Sequence, residues 1–188
     1  MPDWRRSQVP GGTFFFTVVT DNRIPLFASA DARKMLGQVL RECRRQWPFN
    51  LDGIVLLPDH LHVIWSLPRG DMNYSRRWAW LKSQFTQRWI AAGGQAQSVT
   101  SGRHRDGRKG VWQPKFWEHT LQDDEDFERH LNYIHYNPVK HGYVSSPRDW
   151  PWSSFHRYVK AGVYDADWGS GTSALVPDFL KMDSTIGE

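Results

Sequence analysis

Residues 56–65 read LLPDHLHVIW. Pro58-Asp59 is a turn signal between two apolar runs, LDGIVLL (51–57) and LHVIWSL (61–67), so the stretch predicts a β-hairpin. Side chains two apart on a strand share a face and lie about 6.5 Å apart along it. His60 and His62 therefore present two imidazoles on one side, while Leu61 and Val63 face the other way into a core. Such a pair serves either as two ligands to one ion, with a third supplied from elsewhere, or as two hydrogen-bonded histidines. Both readings stand on this stretch alone.

Upstream, TFFFTVVT (13–20) follows Pro10-Gly11-Gly12 and reads as a strand entered from a turn. From Asp31, as N-cap, to about Gln46, the positions Met35, Leu36, Val39, Leu40 and Cys43 recur at three and four and predict a helix that stops before Pro48. Downstream, Trp78, Leu81, Phe85 and Trp89 predict a second helix over 75–90, with Arg77, Gln84 and Arg88 on another side. Residues 93–110 are glycine-rich and basic without apolar periodicity, and read as a mobile loop. A short strand over 116–121 precedes a third helix, whose acidic first turn begins at Asp123 and which runs to Pro138. The order β-α-β-β-α-β-α predicts an α+β protein with a ferredoxin-like antiparallel sheet and its helices on one face.

On that third helix Tyr133 and Asn137 stand at i and i+4, so a phenol and an amide oxygen could approach the same ion. Equally, Tyr133 could be a half-buried helix tyrosine and Asn137 the residue that ends the helix before Pro138. Tyr136, three residues on, is a competing phenol.

At 188 residues the chain suits one domain, and its single cysteine, Cys43, leaves no disulfide framework. No apolar run approaches the roughly 20 residues of a membrane span, and MPDWRRSQVP has no apolar targeting core, so a soluble cytoplasmic protein is expected. Residues 1–160 carry 23 basic against 15 acidic side chains, whereas 161–188 carry Lys181 against Asp165, Asp167, Asp178, Asp183 and Glu188. This predicts a basic domain over 1–160 and an acidic tail over 161–188 attracted to it. A basic body with eleven tryptophans fits a binder of nucleic acid, and fits equally a Trp-rich core under a solvated basic surface.

Six strings then occur in order: PGGTFFFTV, VLLPDHLHVIWSLP, KSQFT, WQPKFWEH, YIHYNPVKHGYV and DWPWSSFHR. Together they resemble the REP-associated tyrosine transposases, a branch of the HUH single-tyrosine transposase superfamily. The resemblance implies that Tyr133 is the nucleophile and that His60, His62 and Asn137 hold Mg²⁺ or Mn²⁺. The wider superfamily often has Gln at the third ligand position, from which Asn137 departs. It also implies a single-stranded DNA substrate with imperfect palindromic hairpins of the repetitive extragenic (REP) type, cut through a 5′-phosphotyrosine. A monomer acting in the nucleoid is expected.

Arg5, Arg6, Gly11 and Gly12 lie where such proteins bind a guide tetranucleotide. The other expected DNA contacts are Arg77, Lys82 and Arg88 of the second helix, Arg103, Arg105, Arg108 and Lys109 of the basic loop, and Lys115 and Lys140. His119 could lie near the ion. The alternative is a domesticated protein that binds the same hairpins without cutting them.

Overall fold

The hairpin forms as β2 (Asn50–Leu56) and β3 (His60–Ser66). The computed structural model describes residues 9–171. β1 (Thr13–Val19) pairs antiparallel with β3, placing Thr17 opposite His62, and on its other side β1 pairs with β4 (Trp117–Thr120). The sheet order is β2-β3-β1-β4 with every neighbour antiparallel, as expected for the ferredoxin-like arrangement.

The helices lie on both faces of the sheet rather than on one, and the alternation along the strands explains why. Phe14, Phe16 and Val18 of β1 join Leu61, Val63 and Trp65 of β3 under α1 (Ala30–Gln46) and α2 (Tyr74–Ala91). The intervening Phe15 joins Val55 and Ile64 under α4 (Asp124–Lys140). A strand that is aromatic on both sides needs cover on both, and burial of such rings contributes about 1.5–3 kcal/mol each. The tryptophans divide accordingly: Trp112 and Phe116 pack with the α1/α2 layer, and Trp117 with the other.

Local departures have local causes. Helix α1 is capped by Ser29, whose hydroxyl accepts from the Ala32 amide, so Asp31 falls in the first turn instead. The basic loop contains a short helix, α3 (Ser101–Arg105), capped by Thr100 and anchored where Arg103 donates to the buried Asp21 at 2.7 Å. Helix α4 continues past Pro138 to Lys140, with the His141 amide bonded to the Asn137 carbonyl. Gly53 of β2 lets α4 lie close: a Cβ there would sit 3.0 Å from Leu131 Cδ1 and 3.4 Å from Ile134 Cδ1.

Beyond α4 the chain folds back as α5 (Phe155–Lys160), an element the periodicity did not predict. The Ile54 amide donates to Ser154 Oγ, and the Ser154 amide to the Ile54 carbonyl, covering the outer edge of β2. His135 is fully buried beneath this return, bonded to Ser154 Oγ at 2.8 Å and Tyr164 Oη at 3.2 Å, and Trp168 stacks near Tyr164. Among the described residues no helix is long and apolar enough to cross a membrane.

Burial lowers the His135 pKa to about 3, with Arg157 and His156 adding repulsion. The unfolded chain therefore binds more protons than the folded one between about pH 6.5 and 3, so this residue's contribution to stability falls as pH drops through that window. Thermal unfolding should show a loss of about 2 kcal/mol from this group between pH 7 and pH 5. His135→Gln should flatten that dependence.

Candidate active site

Because β3 alternates, His60 and His62 project toward α4 while Leu61 and Val63 enter the opposite layer. Both imidazoles are buried, and their rings lie 4.9 Å apart. His60 Nδ1 is 2.6 Å from Asp59 Oδ1, and Arg23 donates to Asp59 Oδ2 at 3.0 Å. Burial opposes ionisation of Asp59, but the His60 hydrogen bond and the Arg23 guanidinium outweigh it and hold its carboxyl below the ordinary range. An ionised Asp59 accepts a hydrogen bond from the Nδ1–H of His60, which puts the lone pair on Nε2. His62 Nδ1 is likewise engaged by Thr17 Oγ1 at 2.9 Å.

Helix α4 supplies the remainder from one face. The Tyr133 ring lies 5.3 Å from the His62 ring, and Lys140 Nζ donates to the phenol oxygen at 3.0 Å. Asn137 is buried at i+4 from Tyr133, and the His141 ring approaches His60 to 5.3 Å. The competing phenol, Tyr136, packs against Trp168 instead, at 6.3 Å. The structure thus gathers His60, His62, Tyr133 and Lys140 on the sheet's α4 face, with Asn137 buried one helical turn beyond Tyr133. Sequence reasoning missed the two orienting groups, Asp59 and Thr17. The first adjoins His60 in the turn, but the second becomes visible only through the β1–β3 register.

The donor set fits a divalent cation. Two imidazoles held by their Nδ1 atoms present Nε2, the arrangement in which a carboxylate or hydroxyl fixes tautomer and ring orientation for ligation. With an amide oxygen as third ligand, the set is neutral and leaves the ion's charge for an anionic substrate.

The basic residues divide sharply. Arg77 is not available to DNA: it is 2% exposed, bonded to both oxygens of Asp71 and to the carbonyls of Trp47, Pro48 and Asn73. Arg88 forms a bidentate pair with Glu42 that ties α2 to α1, and Arg103 is committed to Asp21. Lys82 donates to the Gln113 carbonyl and lies over the Phe116 ring. Arg105, Lys109 and Lys115 are exposed, and Arg108 lies 3.7 Å from Asp106.

Gly11 takes a φ of +70°, its amide bonded to the Asp71 carbonyl, and Gly12 accepts from the Leu67 amide. Arg5 and Arg6 lie outside the described residues, as do residues 172–188 of the expected acidic tail, whereas its first residues, 161–171, are described and pack on the domain through Tyr164 and Trp168. His119 is bonded to Asp126 rather than to the histidine pair, with Phe15 in ring contact with both His62 and His130. A groove of about 770 Å³, which the motif analysis did not single out, is lined by Arg41, Arg44 and Arg45 on the polar face of α1.

A ferredoxin-like sheet that presents a histidine pair to a single helical tyrosine defines a class of DNA strand-transfer proteins. The chain belongs to the family described as Transposase IS200 like, which matches residues 9–137. It is 40% identical over 186 residues to the REP-associated tyrosine transposase of Escherichia coli (strain K12), covering 99% of each chain. A Haemophilus influenzae relative assigned to the same group is 41% identical over 99% of this chain and 100% of its own. A solved structure described as a REP-associated tyrosine transposase bound to a REP hairpin aligns with a TM-score of 0.73 at 39% identity, over 93% of this chain and 96% of that one.

The contacts of Arg77 make a prediction that separates scaffold from interface. Arg77→Met should cost on the order of 3 kcal/mol in urea unfolding, because Asp71 and three carbonyls lose their donor. Under conditions where the variant remains folded, its DNA affinity should match that of the wild type.

Proposed function

We propose that the protein cuts and rejoins single-stranded DNA at REP-type hairpins, with Tyr133 as nucleophile. The observation that carries this reading is the position of the Tyr133 phenol, beside the His62 ring and hydrogen-bonded by the Lys140 ammonium. An ordinary phenol has a pKa near 10 and is a poor nucleophile at neutral pH. The ammonium stabilises the phenolate and also counters the approach of the phosphodiester's negative charge.

The phenolate oxygen attacks the scissile phosphorus, the bond to the 3′ oxygen breaks, and that oxygen leaves as a 3′-hydroxyl after protonation. The product is a 5′-phosphotyrosine that conserves the bond energy, so the 3′-hydroxyl of another strand can reverse or redirect the step. His60, His62 and Asn137 would hold Mg²⁺ or Mn²⁺, which when bound polarises a non-bridging phosphate oxygen and stabilises the departing one. Asp59 and Thr17 engage the two Nδ1 atoms and fix the orientation of the rings.

Tyr133 meets the histidines of its own chain, which supports action as a monomer, without exchange of α4 between copies. A groove whose lining includes Arg108 and Lys109, and the exposed Arg105 and Lys115, suit the phosphates of a strand or stem. The Gly11-Gly12 turn would meet the guide tetranucleotide together with Arg5 and Arg6. We assign catalysis to residues 1–160 and treat 161–188 as an acidic extension of this domain. Such a substrate would place the protein on nucleoid DNA in the cytoplasm.

The test is a denaturing gel of the protein with labelled single-stranded REP hairpin and Mg²⁺ or Mn²⁺. A covalent protein–DNA band is expected, absent in Tyr133→Phe and in chelator. Lys140→Gln should slow its formation roughly tenfold or more at neutral pH. Tight binding without any covalent band would favour the non-cleaving alternative.

A further inference from the structure

A second group of ligand-type side chains lies at the opposite end of the same helix face. His119 of β4, with Asp126 and His130 of α4, bring one donor atom each within 4.8 Å of one another. His119 Nε2 is 2.8 Å from Asp126 Oδ2, His130 Nδ1 is 2.8 Å from the Asp126 carbonyl and 3.1 Å from Asp126 Oδ1, and the two imidazole rings stack at 4.8 Å. None of the three belongs to the set around Tyr133, from which Phe15 separates them.

We propose that His119, Asp126 and His130 form a second metal site, of the zinc class, that clamps the edge strand β4 to the first turns of the nucleophile helix. Two imidazoles and a carboxylate are a common three-residue zinc set, with water completing a tetrahedron. Donors about 2 Å from one ion lie roughly 3.3 Å apart in that geometry, close to the observed 2.8 Å and 3.1 Å, and binding also requires His130 Nδ1 to leave the Asp126 carbonyl and the stacked rings to turn until both lone pairs meet at the ion. Such a set accommodates Zn²⁺, Co²⁺ or Ni²⁺.

The protonation states also suit ligation. Burial is the main reason the His130 pKa lies below the ordinary imidazole value, keeping that ring neutral. Burial opposes ionisation of Asp126, but donors from His119 and the Gln122 amide outweigh it and keep the carboxyl ionised. On binding, His119 Nε2 gives up any proton it carries to solvent, the His130 Nδ1 proton moves through solvent to Nε2, and the hydrogen bonds of both rings to Asp126 are replaced by bonds from all three residues to the ion.

The side chains form a gradient of exposure, with His119 35%, Asp126 13% and His130 3% exposed, so the ion has an entry from solvent and a buried floor. Structurally the gain is specific. β4 has four residues and, among the described residues, pairs only with β1, whereas α4 carries Tyr133 one turn beyond His130. A bond from β4 to α4 through the ion fixes the helix at its N-terminal end.

The experiment uses the full chain without a polyhistidine tag, stripped by chelator and titrated with Co²⁺ as a spectroscopic substitute for zinc. The wild type should take up two equivalents, one of them giving the visible absorption of a tetrahedral ion, and Zn²⁺ should displace it. His119→Ala, a substitution at a partly exposed position, should lose that absorption and one equivalent. The His60→Ala, His62→Ala double variant should keep both the absorption and a Zn²⁺-dependent rise in Tm. Equal stoichiometry in wild type and His119→Ala, or absorption lost only when His60 and His62 are replaced, would overturn the proposal and leave the cluster as hydrogen bonds alone.

Discussion

The pairing of β1 with β3 is the constraint on which the rest depends. β3 is buried on both faces through Trp65, so its side chains have no neutral orientation. In the observed register Leu61, Val63 and Trp65 fill the layer under α1 and α2, while His60, His62 and Ile64 face α4. A slip of one residue would exchange the two sets, driving imidazoles among Phe14, Phe16 and Trp78 and turning leucine and valine toward Tyr133. Apolar burial therefore enforces the geometry of the reactive groups. Thr17 links the two, since the residue that hydrogen-bonds His62 is the one that the register sets opposite it.

Charge in this protein divides between holding the fold and meeting a substrate. Arg77, Arg88 and Arg103 all sit in basic stretches, yet each is engaged by an internal carboxylate: Asp71, Glu42 and Asp21. Lys140 works at the site itself. A formal excess of cations is thus a poor measure of how many can meet phosphate. The guanidiniums that line the α1 groove, Arg41, Arg44 and Arg45, add to the basic surface.

What could be read from the sequence followed the range of the causes. The strands and the three long helices depend on periodicities of two and 3.6 and were legible, as were the shared face of His60 and His62 and the i+4 spacing of Tyr133 and Asn137, but their reading as one site came from the family resemblance. The α1 start was misplaced by two residues because Ser29 and Asp31 are both good caps and only the chain path chooses between them. Arg77 read as surface because its partners at Trp47, Pro48 and Asp71 converge only after folding. The one-face arrangement failed although the evidence lay in Phe14-Phe15-Phe16, where consecutive aromatics already require two layers. Helix α5 was illegible because Phe155–Lys160 is too short for a period, and its position comes from Ser154 bonding to β2 a hundred residues away.

Gly53 is the least reactive residue near the site, yet it sets the thickness of the layer between strand and helix. Leu131 and Ile134 rest where its side chain would be, and Ile134 is the immediate neighbour of Tyr133. Any larger residue there would act as a shim under the helix, lifting the phenol from the imidazoles without touching either. The distance across which the bond must form is thus governed by a hydrogen atom on a strand that contributes no chemical group of its own.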